Sequence, residues 1–307
     1  MTPLPIPDEP KFPAMTLNML LPLLYLLLGF TLARLRIDIR KIASTVLMRV
    51  AIPYVVIHNM VFSQQGTFVI MAAIVAIMAV MLGIGWLLRR DAVEALNFSY
   101  LNIGWMGLPI AVSLFGNDAA AVMIAAYVGS SLFGNTVSAA LLAPPGSTSW
   151  PQRLRTLLLS PAFLAMITGL LLSPFAAQLS LLDQWLYEPA KVLMSLLGMG
   201  VLGMWLAHAR ISRAEVSRSV LLTLQRVVAL LLVMWSAIQL GTLAGLDWVQ
   251  QYARVLYLIC LLPPAAIIVI LETHYLHTGR SASSIAVGTC ISVILIVLYA
   301  VGLRLLG

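Results

Sequence analysis

Amides, glycines and a proline interrupt one apolar segment at a spacing that is costly inside a membrane helix. The run contains Asn97, Asn102, Gly104, Gly107 and Pro109. Such residues weaken a helix, and the backbone groups that they release in lipid need partners from protein, water or a solute. The start of a half-helix offers free N–H groups and a partial positive charge, which suit a carboxylate. The pattern therefore predicts a binding site for a small anion.

A second interruption, Leu262-Pro263-Pro264, lies in a later apolar segment. Two broken helices in corresponding places indicate the substrate site of a secondary transporter. We expect Asn102 to be the main contact, because an amide donates hydrogen bonds without carrying charge into the membrane. Two alternatives stay open: the prolines make ordinary kinks, and Asn102 bonds to a neighbouring helix. The predicted substrate-binding residues are Asn102, Gly104, Gly107, Pro109, Ser131, Asn135, Pro263, Pro264 and Thr289.

Four ionisable side chains fall within apolar segments. His58 and Glu272 are candidates for proton or ion coupling, and an interfacial position is the alternative for both. Arg49 and Arg226 lie near the predicted cytoplasmic ends of their helices, from which a long side chain extends to water; lining the transport pathway is the alternative. We expect no metal and no cofactor, because neither cysteine has a metal-ligand spacing.

Composition places the chain in a lipid bilayer. The chain is 61% hydrophobic and 9% charged, with a mean hydropathy of +1.00, whereas soluble domains carry about 25% charged residues. Its net charge of +7 comes from arginines clustered in particular loops, so we expect no nucleic-acid partner. The sequence contains no HExxH or Walker A motif. We expect a protein that is not an enzyme.

Hydropathy predicts ten transmembrane helices, each in a window of about 20 apolar residues. The basic residues concentrate in the loops of one side, which the positive-inside rule assigns to the cytoplasm, so both termini are expected on the other side. We therefore predict a multi-pass protein of the all-α class. The predicted spans lie near 15–33, 43–62, 68–88, 95–115, 118–142, 154–174, 184–207, 217–245, 252–276 and 281–304.

The two halves of the chain resemble each other. Val128-Gly129-Ser130-Ser131 in the fifth span is similar to Val287-Gly288-Thr289-Cys290 in the tenth, and a proline break precedes each. Five spans per half turn the second copy upside down, as in the inverted repeats of many secondary transporters. We predict a disordered tail at 1–14, a first repeat at 15–142, a cytoplasmic linker at 143–153 and an inverted second repeat at 154–304.

The run Asn102-Ile-Gly-Trp-Met-Gly107-Leu-Pro109, followed by Leu114-Phe115-Gly116, resembles the auxin efflux carrier family. This family includes the plant PIN exporters and many bacterial organic-anion carriers. The resemblance extends from Met15 onward. The supporting segments are Asp38-Ile-Arg-Lys-Ile-Ala-Ser, Ile52-Pro53, Ser160-Pro161, Gly169-Leu170 and Leu262-Pro263-Pro264-Ala265.

The resemblance implies the ten-helix fold of the bile-acid symporters, with helices four and nine crossing at their prolines. Spans 1, 2, 6 and 7 would form a scaffold that dimerises. Spans 3–5 and 8–10 would form a transport core that moves against it like an elevator, with substrate beside Asn102. Unlike the plant PIN proteins, the sequence has no acidic residue in the third span and only a short loop at 143–153. Ser131 stands where members of the family often have asparagine.

Together these features predict a secondary active or facilitative transporter of a small organic anion that works by alternating access in a bacterial inner membrane. Its expected partners are the anion, the lipid bilayer and a second copy of the chain in a homodimer. A sodium-coupled bile-acid-type symporter and a non-transporting membrane sensor of the same fold are the alternatives.

Overall fold

The computed structural model describes residues 17–62, 67–116, 118–142, 155, 158–159, 161–208, 213–246 and 248–306. The predicted tail at 1–14 and the predicted linker at 143–153 lie outside these residues. Most of the described part of the chain is helical, and its one β-type contact is a single antiparallel bridge. The predicted all-α class is confirmed.

The helices are named here in chain order, with two five-residue π-helical turns and one 3₁₀ turn between them. They are α1 Leu17–Arg34, α2 Arg40–Val46, the π-turn Leu47–Ala51, α3 Ile52–Val61, α4 Thr67–Arg89, α5 Ala92–Ser99, the π-turn Ile103–Gly107, α6 Leu108–Phe115, α7 Asp118–Leu142, α8 Pro161–Leu172, the 3₁₀ turn Ser173–Phe175, α9 Ala176–His208, α10 Arg213–Leu243, α11 Trp248–Gln251, α12 Ala253–Leu261, α13 Ile267–Leu276 and α14 Ser281–Leu306.

Six helices in the described part of the chain are long and apolar enough to cross a membrane. Many of their large apolar side chains point outward; Leu243 and Leu305, for example, expose 85% and 81% of their surface. A soluble protein could not leave so much apolar surface in water, whereas lipid covers it at no cost. The chain is therefore a membrane protein. The six helical segments are Phe68–Arg89, Ala121–Leu142, Phe163–Ser180, Trp185–His208, Arg213–Leu243 and Ser281–Leu305.

Glycines bring α1 and α9 into close contact. A Cβ atom at Gly29 would lie 1.9 Å from the carbonyl oxygen of Gly200, and one at Gly203 would lie 2.0 Å from the carbonyl oxygen of Leu26. Small residues of this kind let helix backbones approach each other in lipid, where dispersion forces rather than the hydrophobic effect hold helices together. The α1–α9 contact therefore depends on the missing side chains.

The order of elements in two parts of the chain is the same. A long helix, a broken helix and a second long helix follow one another from α4 to α7 and again from α10 to α14. Gly129 in α7 packs against the backbone of Met71 in α4, and Gly288 in α14 packs beside Thr223 in α10. The related glycines thus contact the long helix that begins their own part of the chain.

A single residue separates the end of each π-turn from a proline. In each turn the residue ahead of the proline donates its N–H five residues back: Ile52 to Leu47 and Leu108 to Ile103. A proline lacks an N–H and disfavours a regular helix over the preceding turn, so widening by one residue is one way for the backbone to accommodate it. Pro53 and Pro109 thus explain where the two turns occur.

Charged side chains connect α5 and its capping residue with α10 and with the residue before α14, at one end of the bundle. Asp91 caps α5 by accepting a hydrogen bond from the N–H of Glu94 at 3.0 Å, and it pairs with Arg280 at 2.9 Å. Glu94 in turn pairs with Arg218 of α10. These contacts connect the two parts of the chain that share the same order of elements.

Glu272 is fully buried near the end of α13, and its carboxylate holds the start of α14. It accepts hydrogen bonds from the N–H groups of Arg280 at 2.9 Å and Ser281 at 3.0 Å, and from the hydroxyls of Thr278 at 2.6 Å and Ser281 at 2.5 Å. These are the contacts of a capping carboxylate, which satisfies backbone N–H groups that the helix cannot. The predicted role of Glu272 in coupling stays a prediction.

We expect Glu272→Ala to lower the free energy of unfolding by roughly 2–3 kcal/mol, because it leaves buried donors without an acceptor. Chemical unfolding in detergent measures the change. Glu188→Ala is the matched control, since Glu188 is exposed and pairs with Lys191 across one helical turn, an interaction worth about 0.3–0.5 kcal/mol. An unaltered unfolding curve for Glu272→Ala, together with altered pH dependence of anion binding, would contradict the capping role and favour coupling.

Candidate functional site

The two broken helices meet at their breaks. Residues 100–102 lie beside 262–266, and the chain segments run antiparallel, with a bridge between Leu101 and Pro264. The N–H of Asn102 donates to the carbonyl of Pro263 at 2.9 Å, and the N–H of Ala265 donates to the carbonyl of Tyr100 at 2.8 Å. We call residues 100–102 and 262–266 the crossing. It satisfies four backbone groups that a broken helix would otherwise leave unpaired.

A small, partly open cavity lies beside the crossing. Its wall is mainly apolar, and its polar groups come from the fourth segment and from α7. No charged side chain of the described residues lines it. The lining residues are Ile52, Tyr100, Leu101, Asn102, Ile103, Gly104, Tyr127, Ser130, Ser131, Ala265 and Ile267.

Two helix starts face this cavity. The π-turn that leads into α6 begins at Ile103, and α13 begins at Ile267; both residues line the cavity. The first turn of a helix carries a partial positive charge, and part of its N–H groups have no intrahelical acceptor. Here the N–H groups of Ile103, Ile268 and Val269 already donate to nearby backbone carbonyls, so the partial charge is the main contribution of the two starts. The combination of two helix starts in one apolar cavity favours a ligand that carries negative charge.

Asn102 lies at the start of the π-turn, where its side chain makes no capping hydrogen bond. The residue is buried, with 3% of its surface exposed. Its amide nitrogen Nδ2 lies 3.8 Å from the sulfur of Met199 in α9. A thioether is a weak acceptor, so this donor is held in place by a partner that a carboxylate oxygen would outcompete.

Two phenols and a hydroxyl form the polar wall of the cavity. Ser131 lies within hydrogen-bonding reach of the phenols of Tyr100 and Tyr127, and the phenol of Tyr127 also donates to the sulfur of Met194 at 3.2 Å. Gly104 lies against the ring of Tyr127, where a Cβ atom would come within 2.4 Å of the ring. This glycine therefore sets how closely the fourth segment approaches α7.

The other predicted binding residues occupy different positions around the crossing. Pro263 and Pro264 form its backbone, and Gly107 packs against Leu262, where a Cβ atom would meet a methyl group at 2.6 Å. Thr289 is buried in α14 and donates its hydroxyl to the carbonyl of Ile285 at 2.8 Å. The side chains of Pro109 and Asn135 lie outside the described part of the structure.

The candidate coupling residue His58 lies away from the cavity, in α3. Its ring stacks on Tyr187 of α9 with 3.4 Å between the ring centroids. The neighbouring Asn59 accepts a hydrogen bond from the phenol of Tyr187 at 3.0 Å. The structure thus places His58 in the contact between α3 and α9, and its role in coupling stays a prediction.

The expectation that Arg226 extends to water is wrong. Arg226 is fully buried, and its Nη2 donates to the carbonyl of Leu262 in the crossing at 2.9 Å. The reason is the length of α10, which begins at Arg213, so Arg226 lies about 20 Å along the helix at 1.5 Å per residue. Even a fully extended arginine side chain does not reach water from that depth. Arg49, in contrast, is exposed.

Several residues at the site were not predicted from the sequence. Tyr100 and Ile52 line the cavity, and Met199 contacts Asn102. Tyr100 could have been predicted from its position close to Asn102, and Ile52 could have been predicted from the Ile52-Pro53 pair. Nothing in the sequence around Met199 distinguishes it from other methionines in apolar helices.

No protein-family model matches the chain, and no curated protein matches it. The relationship to the auxin efflux carriers, expected from the motif around Asn102, therefore stays a proposal. Among the side chains that the structure describes, no group of three or more histidine, cysteine or carboxylate residues is close enough together to hold a metal ion.

Proposed function

We propose that the protein is a secondary carrier of a small organic anion and that the anion binds in the cavity beside the crossing. The observation that carries the proposal is the meeting of two broken helices, with two helix starts and the Asn102 amide around one cavity. Broken helices that face each other near the middle of the membrane form the substrate sites of many secondary transporters.

The chemistry of the cavity favours an organic anion over a cation or a sugar. Its helix starts supply partial positive charge, the Asn102 amide supplies donors to negative charge, and no carboxylate among the described residues lines it to hold a cation. Ile52, Ile103 and Ile267 supply an apolar wall that suits a hydrocarbon or aromatic body. A mono- or dicarboxylate with a small apolar part meets both requirements.

The proposed architecture has ten membrane spans in two inverted five-helix repeats. Its support is the repeated order of long, broken and long helices and the antiparallel pairing of the two breaks. A two-fold axis in the membrane plane relates equivalent segments in opposite directions, and antiparallel pairing is the local result. The proposal includes both termini outside the cytoplasm, a bacterial inner membrane and a homodimer of the auxin efflux carrier type.

Alternating access would move the crossing relative to α9. Two side chains of the site touch α9 through sulfur atoms, since Asn102 contacts Met199 and Tyr127 contacts Met194. Thioethers are flexible and accept hydrogen bonds only weakly, so sliding past them breaks few strong interactions. This supports an elevator-like step in which the part that holds the crossing moves against α1 and α9.

A thermal-shift panel tests the proposal on the purified protein. The probes are acetate, succinate, benzoate and indole-3-acetate, each beside its neutral amide, in sodium and in choline salts. We expect at least one carboxylate to raise the melting temperature while its amide does not; a ligand at 100 times its dissociation constant adds about 2.7 kcal/mol. Stabilisation by the amides alone, or by no carboxylate at any concentration, would contradict an anion site.

A further inference from the structure

Arg226 places a buried positive charge behind the crossing. It lies in the middle of α10 with none of its surface exposed, and one of its three guanidinium nitrogens, Nη2, donates to the carbonyl of Leu262 at 2.9 Å. Its Nε and Nη1 atoms have no hydrogen-bond partner in the described structure. A buried, incompletely bonded guanidinium is expensive, and a fold keeps one where its charge has a use.

The carbonyl that Arg226 binds is the negative end of a broken helix. α12 ends at Leu261, and Leu262 is the extended residue that follows it. The end of a helix leaves carbonyls unpaired and carries a partial negative charge. In transporters with broken helices, such carbonyl ends coordinate the coupling cation.

No carboxylate among the described residues neutralises Arg226. Glu272, the buried carboxylate of α13, has both of its oxygens engaged by Arg280, Thr278 and Ser281. Thr223, one turn before Arg226, has a buried hydroxyl without a hydrogen-bond partner in the described structure. The surroundings of Arg226 thus supply neutral groups, and its charge acts on whatever occupies the crossing.

We propose that Arg226 is the resident cation of the crossing: its guanidinium occupies the carbonyl end of α12 that a coupling cation would otherwise occupy. The inference rests on the proposed function, because it assigns the mode of coupling to the same site. Anion binding then needs no sodium. The protein would belong to the sodium-independent carriers, and the sodium-coupled alternative would not apply.

The fixed charge also increases the affinity for an anion. Leu262, whose carbonyl binds Arg226, precedes Pro263, whose carbonyl binds the N–H of Asn102. With about 3.8 Å between successive Cα atoms, the guanidinium lies on the order of 10 Å from Asn102. At an effective dielectric constant of about 20, a unit charge at that distance strengthens anion binding roughly tenfold.

The test removes the guanidinium charge of Arg226 by substitution and then supplies a cation, guanidinium or sodium, in solution. We expect the melting temperature of the wild-type protein, measured without a carboxylate, to be equal in sodium, lithium and choline chloride of the same ionic strength. Arg226→Met should melt at a lower temperature and recover part of the difference in 10 mM guanidinium or in sodium, but not in choline. Arg226→Lys should melt between the two. Arg213→Gln, an exposed arginine at the start of the same helix, is the control for net charge.

A role in packing alone predicts a different result. If Arg226→Met melts like the wild type, or melts lower without recovery by guanidinium or sodium, the resident-cation proposal is wrong. If Arg226→Met does not accumulate in folded form, Arg226→Lys and the wild type are compared instead. Melting temperatures of Arg226→Lys and of the wild type that are the same in all three salts would support the proposal. A wild-type protein that requires sodium would overturn it.

An anion arm separates this inference from the proposed function. The four carboxylates of the panel are titrated against the wild type and Arg226→Met, and we expect a roughly tenfold loss of affinity in the variant. If no carboxylate stabilises the wild type, the proposed function is wrong, and the melting temperatures in guanidinium, sodium and choline still decide the role of Arg226. If carboxylates bind the wild type only in sodium, the proposed function stands and the resident cation is wrong.

Discussion

Asn102→Ala is expected to reduce carboxylate affinity tenfold to a hundredfold and to bring carboxylate uptake into proteoliposomes to background. The variant removes the one side-chain amide among the described residues that line the cavity, and a hydrogen bond to a charged group contributes about 1.5–3 kcal/mol. The stability of the protein should change little, because the substitution removes only a long contact of 3.8 Å between the side-chain amide and the sulfur of Met199. Titration of the stabilising carboxylate by thermal shift gives the affinity, and uptake of the same labelled anion gives the rate.

Asn59→Ala is the matched control for Asn102→Ala. Asn59 is also a buried amide in an apolar helix, but it bonds to Tyr187 in the contact between α3 and α9. We expect this variant to lose stability and to keep carboxylate affinity. Wild-type affinity in a well-folded Asn102→Ala protein would place the anion elsewhere in the molecule.

Gly29→Ala is expected to have the largest effect on stability. The added Cβ atom would lie 1.9 Å from the carbonyl oxygen of Gly200, and backbone atoms of a packed helix cannot move aside as a flexible side chain can. The two helices must separate, which costs about 3 kcal/mol on the scale of overpacked cores. Thermal unfolding in detergent, followed by circular dichroism, measures the change.

Gly200→Ala provides a control within the same helix contact. A Cβ atom at Gly200 would find its nearest neighbour, the carbonyl oxygen of Tyr25, at 4.0 Å, which is an ordinary contact. Since alanine favours a helix over glycine by about 1 kcal/mol, we expect this variant to be as stable as the wild type or more stable. Equal melting of Gly29→Ala and Gly200→Ala would mean that α1 and α9 are not packed as closely as described.

The position of the fourth-segment break was predictable because its causes are local. Asn102, Gly104 and Gly107 weaken a helix by their own backbone and side-chain preferences, and Pro109 removes an N–H. The break near Pro263 followed from the same reasoning. Their meeting, with backbone hydrogen bonds at 2.8 and 2.9 Å, agrees with the predicted crossing. The count of ten spans and the inverted repeat stay predictions.

The burial of Arg226 was not predicted, for a reason that lies in the start of its helix. The first turns of α10 carry Arg213 and Arg218, and hydropathy placed the start of the span near 217, beyond Arg213. The predicted span therefore left Arg226 too close to the surface. A hydropathy window detects only the apolar part of a helix, so it does not include polar turns that extend the helix beyond the membrane. The contact of Met199 with Asn102 was missed for another reason: lateral packing between distant helices has no signature in local spacing.

Solute counterflow in proteoliposomes tests the central claim most directly. Vesicles that contain the wild-type protein are loaded with the unlabelled carboxylate that stabilises it best, then diluted into a trace of the labelled form. A carrier that alternates between two sides accumulates label transiently above its external concentration, and we predict this overshoot for the wild type, its absence for Asn102→Ala and its persistence in choline. Binding of the carboxylate without any overshoot in the wild type would contradict transport and identify a membrane sensor instead.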